Sequence, residues 1–412
     1  MIKALLFNIS IIIFSTTTFA QNTDILNPYV NTLKNKGEDP AAFVLEKLET
    51  YDLLIFDDAL HSAYEPFEFY EGLVKNISFR NKVKYIFLEA VSINKQPCID
   101  SYLNSDPEDP SLLYPAFQDD FSGYGWAYKT YFDLLHAVYT VNRELREKDR
   151  VKLLAVNNPV YWNEIKTPED VALFRKSLVG NDYSMYKVIL SYMAGFKAGR
   201  KGIFLTNTRH AYKGIRDKKN NYYWDCGTFF HQWNPGQTYS IRIHNAGLYL
   251  EGKRDISPDQ VQTTAGTENY IIKWIRMEKG KWDCAFKEYG NKPVAFDMKD
   301  TPFGSTPYTG NHMLDAAAGQ TMYDAYDALI FLAPLDSLHM TAVTNVIYTP
   351  DFKIELERRY RILETPLQIK SMLENSGCSS LEEYIDKTCS EKPVKISPIS
   401  KMVGPLDEWE RD

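Results

Sequence analysis

The chain has 412 residues, 44% of them hydrophobic and 14% aromatic, with a formal net charge of −7. That is ample material for a large core and excludes a globally disordered chain. An acidic balance without a concentrated Lys/Arg patch argues against nucleic acid as a partner.

Residues 1–20 read as a signal peptide. Lys3 supplies a positive start, residues 4–14 an apolar stretch, and Thr18-Phe19-Ala20 small residues before Gln21. The expected product is exported, to the periplasm or beyond the cell. No later run approaches ~18 consecutive apolar residues, so no transmembrane segment is expected after signal removal. Export permits disulfides among Cys98, Cys226, Cys284, Cys378 and Cys389. Cys378 with Cys389, which flank a predicted helix, is the leading pair. Cys226 with Cys284 is the second, leaving Cys98 over. No C-x-x-C occurs, which removes zinc ribbons and thioredoxin motifs.

Asp39-Pro40 opens a helical stretch to about residue 49. A strand follows over 52–57, helical spacing over 65–79, and a strand over 84–88 that ends at Glu89. Residues 123–147 form a long amphipathic pattern, with Trp126, Tyr131, Leu134, Leu135, Val138 and Val141 at helical intervals. The third strand covers 151–156. Thr167-Pro168-Glu169-Asp170 starts a helix, Asp182 caps another over 185–196, and the fourth strand covers 202–205. Strands alternating with helices of this length give right-handed βαβ units and a parallel sheet. Segments 239–243, 248–250, 270–275 and 328–332 are strand-like and extend the same sheet as mixed or antiparallel strands. The aromatic run 222–233 reads equally as pocket lining or as a hairpin over the sheet. From about residue 351 the composition turns helical and charged. The fold class is α/β: a central, mostly parallel sheet flanked by helices, with a small C-terminal helical appendage. The expected organisation is a signal peptide over 1–20, one α/β domain over 21–345 and a helical tail over 346–412.

The chemistry lies after the strands. The first delivers Asp57, Asp58 and His61, the second Glu89, the third Asn157 and Asn158, and the fourth Asn207, Arg209 and His210. A later strand delivers His244 and Asn245. Open α/β sheets bind ligands outside the carboxyl ends of their strands, so these residues converge on one crevice. A histidine held by a carboxylate suits a general base acting on water. His61 has Asp58 three residues before it, and Glu89 is a second acid. Arg209 or His210 can steady a developing oxyanion. Asp57, Asn157, Asn207 and His244 are the expected substrate contacts. The same histidines and carboxylates are also the donors a divalent metal would use. The bland alternative is that Asp57-Asp58 is a turn or helix cap. There is no G-x-S-x-G, H-E-x-x-H, P-loop or G-x-G-x-x-G, which removes the corresponding hydrolases and nucleotide enzymes.

Three motifs, in order, carry a resemblance: Asp57-Asp58-Ala59-Leu60-His61-Ser62, Tyr85-Ile86-Phe87-Leu88-Glu89, and Leu205-Thr206-Asn207-Thr208-Arg209-His210. Tyr326-Asp327-Ala328-Leu329-Ile330-Phe331 is similar to a closing strand. Over roughly residues 40 to 340 the set resembles the erythromycin esterase-like proteins and their relatives, the ChaN-type haem-binding and TIKI/TraB-type proteins. The resemblance implies an exported hydrolase of an ester-type bond in a small molecule. It implies His61 as a metal-independent base, Asp58 as its partner and His210 as a second polar group. The alternative it carries is binding of haem or a divalent metal without esterase turnover. The family's Gly-Glu is Asp57-Asp58 here, which also admits a member that keeps the fold without catalysis.

Overall fold

The computed structural model describes residues 25–58, 60–196, 199–253, 270–392, 395–396, 403–404 and 406. The expected signal peptide lies outside these. A seven-stranded sheet organises the chain. Its strands are β1 (Leu53–Asp57), β2 (Val83–Ser92), β3 (Lys152–Asn157), β4 (Lys201–Thr206) and β5 (Thr238–Ile243), with two more from the second half. Of the later strands, β6 (Gly247–Lys253) and β7 (Tyr270–Ile275) pair only with each other, whereas β8 (Val294–Asp297) and β9 (Ala328–Phe331) join the sheet. The order is β3-β2-β4-β1-β5-β9-β8, parallel throughout except for the antiparallel β8–β9 pair.

The apolar runs are strands because both faces of the sheet are covered. Every residue of β1 is buried. Alternation sends Leu54 and Phe56 into one core, with Ile86, Leu88, Ile203 and Leu205. It sends Leu53 and Ile55 into the other, with Tyr85, Phe87 and Phe204. Helices Glu65–Lys75 and Lys129–Glu144 cover the first face, and Asn181–Met193 and Cys226–Trp233 the second. The aromatic run before Trp233 is therefore largely a helix rather than a hairpin.

Local chemistry sets the helix ends. Asp39 accepts from the Ala41 and Ala42 amides, with Pro40 in the first turn. Thr167 and Asp170 form a capping box around Pro168. The expected helix over 65–79 is two helices. Asn76 is extended, and its side chain caps the second through the Phe79 amide.

Two further expectations are corrected, and one strand was missed. Residues 248–250 and 270–275 do not extend the sheet. Only three residues separate β5 from β6, too few for a crossover to a parallel neighbour, so β6 turns away into its own hairpin. Strand β8 went unread because four residues after a Lys-Pro pair carry no periodicity. The long helix begins at Lys129, not at 123. Gly123 and Gly125 both have φ +88°, and the buried Asp120 carboxylate gathers the amides of Ser122, Gly123 and Gly125. That loop sets Trp126 in front of the helix, where it meets His61.

The C-terminal helix Pro350–Leu363 docks on the same loop. Arg359, buried, pairs with Asp119, donates to the Gln118 carbonyl at 2.8 Å and lies 5.0 Å from the Trp162 ring. The expected Cys378–Cys389 and Cys226–Cys284 bonds do not form, and the described residues hold no disulfide. Cys389 is sealed among Leu356, Tyr360, Leu381 and Ile385, whereas the Cys378 Sγ turns to the Ser376 carbonyl. Among the described residues, no helix is long and apolar enough to cross a membrane.

Gly227 marks a close approach that matters to the site. A Cβ there would lie 2.7 Å from the Tyr212 carbonyl oxygen and 2.8 Å from that of Ala211. Both contacts are backbone, so neither side can rotate away. Gly227→Ala is expected to lower unfolding free energy by about 1–3 kcal/mol. Urea unfolding checks this; an unchanged midpoint would contradict the packing described.

Candidate functional site

The carboxyl ends of β1, β2 and β4, adjacent in the sheet, bring the site together. Glu89, near the end of β2, is its centre. Its Oε1 lies 3.2 Å from His210 Nε2 and 3.9 Å from His61 Nε2. Its Oε2 accepts from the Thr206 hydroxyl and from the Asn207 amide at 3.0 Å. The side chain is buried, yet its polar atoms are satisfied.

His61 stands beside this carboxylate with its side chain 22% exposed. Its Nδ1 is 3.4 Å from the Tyr131 hydroxyl and 3.9 Å from Asp58 Oδ2, and its ring meets Trp126 edge-on at 4.7 Å. His210 is held at both nitrogens, with Nδ1 2.6 Å from Asp182 Oδ1. Asp182 also accepts from the Cys226 amide at 2.9 Å and from Arg209 Nη1 at 2.9 Å. Arg209 keeps 40% of its side chain exposed.

A tight turn aims these groups. Thr208 has φ +39°, a left-handed conformation that costs a β-branched residue about 1–3 kcal/mol. Its amide is held 2.7 Å from Asp57 Oδ1 and its hydroxyl 2.9 Å from Asn207 Oδ1. The turn carries Arg209 and His210 to a cleft of about 310 Å³ lined by Glu89, Phe121, Asn157, Arg175, Asp182 and Val179, among others.

The expected residues thus divide. His61, Glu89, His210, Arg209, Asp58 and Asn207 are brought together; of these Glu89, His210 and Arg209 line the cleft, and His61 stands 3.9 Å from Glu89 outside that lining. Asn157 reaches the cleft with its amide donating 2.9 Å to the Glu89 carbonyl. Asp57, expected as a substrate contact, is wholly buried instead. It accepts from the Tyr326 hydroxyl and the Thr208 amide and faces Arg242 at 3.5 Å. His244 is not in the cleft either. Strand β5 lies beyond β1, and the ring packs on Phe286 with Nε2 3.4 Å from Asp283. Asp182, expected as a helix cap, is inside the first turn of Asn181–Met193 and holds His210. Nothing local marks it: its partner lies 28 residues away. Tyr131, Trp126 and Arg175 were likewise unread as site residues, since their spacing speaks only of helices.

Electrostatics separates the acids. Burial pushes the Asp58 carboxyl well up, and the neighbouring Asp57 adds to it. Burial also opposes ionisation of Glu89, but His210, His61, Thr206 and Asn207 outweigh it and hold the pKa below its ordinary value. For His210, burial is outweighed by Asp182 and Glu89, so its pKa rises. For His61 burial dominates, aided by His210 and opposed by Glu89, so its pKa falls. The arrangement favours a neutral imidazole at His61 and an ionised carboxylate at Glu89. The anion opposite His61 is therefore Glu89 rather than Asp58.

No family model and no curated protein matches the chain. Among solved structures, a succinoglycan biosynthesis protein is 10% identical, covering 75% of this chain and 97% of its own, with a TM-score of 0.47. A variant of the erythromycin esterase EreC in its open conformation is 11% identical, covering 71% and 92%, with a TM-score of 0.45. ChaN of Campylobacter jejuni, with cofacial haem, is 14% identical, covering 59% and 94%, with a TM-score of 0.33.

Proposed function

We propose that the chain hydrolyses an ester-type bond in a small molecule, with His61 taking a proton from water. The observation that carries the reading is the Glu89 carboxylate oxygen 3.9 Å from His61 Nε2, facing an imidazole whose pKa burial lowers. A base must start neutral and be stabilised once it is charged. Low dielectric supplies the first condition and the fixed carboxylate the second. Tyr131, by accepting from Nδ1–H, would select the tautomer with a free lone pair on Nε2.

His210 has no nitrogen left for substrate, because Asp182 and Glu89 take both. Its work is to hold Glu89 in place and ionised. Arg209, part-exposed in the cleft, is then the group that steadies charge developing on the substrate oxygen. As arranged, the donors do not fit a divalent metal. Both His210 nitrogens are engaged, and among the described residues no group of three His, Cys, Asp or Glu side chains converges. Export, expected from residues 1–20, is part of the same proposal.

The test is a panel of esters, lactones and amides offered to wild type and His61→Ala. Cleavage of at least one compound by wild type alone supports the reading. Equal inertness of both, with a Soret band in protein from haem-supplemented cells, would replace it with ligand binding without turnover.

A further inference from the structure

The cleft has donors left over after its acids are satisfied. Glu89 Oε1 meets His210, and Oε2 meets Thr206 and Asn207. Asp182 Oδ1 meets His210 and the Cys226 amide, and Oδ2 meets Arg209. Arg209 gives Nη1 to Asp182 and has Asp225 Oδ1 3.8 Å from the same atom, while 40% of its side chain stays open. Arg175 lines the same cleft, half-buried, and among the described residues no carboxylate pairs with it. Arg175 thus faces the cleft without a carboxylate of its own, in the same lining as Arg209, which is paired with Asp182 and Asp225. Guanidinium forks recognise oxyanions in bidentate fashion.

We infer that the cleft takes a small substrate bearing a carboxylate or phosphate group, which Arg175 holds while the scissile bond lies beside Arg209, Glu89 and His61. The second half of that statement rests on the hydrolase reading; the anion site does not. A volume of about 310 Å³ is at the small end for ligand sites, roughly 300–1,000 Å³. It suits a compact anion better than a large macrocycle.

The experiment compares 4-nitrophenyl hydrogen succinate with the uncharged 4-nitrophenyl butyrate. It uses the full chain, Arg175→Ala, Arg175→Lys and the exposed-surface control Lys176→Ala. Arg175→Ala is expected to raise KM for the charged ester roughly ten- to a hundred-fold more than for the neutral one. Arg175→Lys recovers part of that loss, and Lys176→Ala changes neither substrate. Succinate and inorganic phosphate are titrated separately against wild type, Arg175→Ala and His61→Ala by calorimetry, which needs no turnover and distinguishes the two anion classes. Binding lost in Arg175→Ala and kept in His61→Ala supports the anion site even if neither ester is cleaved. That result would leave the site standing while the hydrolase reading falls. An equal KM effect on both esters, or no binding of either anion to wild type, would overturn the inference.

Discussion

His61→Ala is expected to lower kcat by about 10²–10⁴-fold, the span that general-base catalysis contributes. The fold should survive, because His61 is lightly anchored. Its polar neighbours are at 3.4 and 3.9 Å, and its mostly buried ring keeps 22% of its surface exposed beside Trp126. Substitutions at such positions usually change stability by less than about 1 kcal/mol. The decisive comparison is kcat against the urea midpoint of the same preparation. A large fall in kcat with an unmoved midpoint is expected. Loss of both together would make His61 a structural residue, and loss of neither would remove it from the mechanism.

Asp57→Ala is expected to give the largest loss of stability, about 3–5 kcal/mol, the usual cost of stripping one partner from a buried ion pair. Asp57 has no exposed surface, and Arg242 opposite it is 5% exposed. Removing the carboxylate strands a guanidinium whose Nε already lacks a hydrogen-bond partner. It also frees the Tyr326 hydroxyl and the Thr208 amide, which together fix the strained turn before Arg209. Asp57→Asn restores the shape but not the charge, so it should recover only part of the loss. Chemical denaturation measures both variants. A loss below about 1 kcal/mol for Asp57→Ala would contradict the anchoring role.

The parallel half of the sheet was legible because burial on both faces writes strands as plain apolar runs. Leu53-Leu54-Ile55-Phe56 and Gly202-Ile203-Phe204-Leu205 stand side by side as β1 and β4. Position after such runs was enough to gather His61, Glu89 and His210 at one edge. It was not enough to say which way each side chain turns. Asp57 and Asp58 are consecutive, yet one is locked beneath the turn and the other faces His61. His244 also follows a strand, but that strand is one place too far along the sheet. Asp182 and Arg175 were illegible as site residues because they come from helices, where an acid or a base reads as capping or solvation. The self-paired hairpin and the short β8 were lost for a related reason: pairing partners are set by tertiary distance rather than by periodicity.

The pH dependence of kcat/KM for a cleaved ester tests the role of His61 most directly. The active form of the base is neutral, and burial moves its pKa down from 6.5. Activity should therefore fall on acidification through a midpoint below pH 6.5. The limb should vanish from the residual activity of His61→Ala. A midpoint above 6.5, or the same limb in wild type and His61→Ala, would contradict His61 as the base.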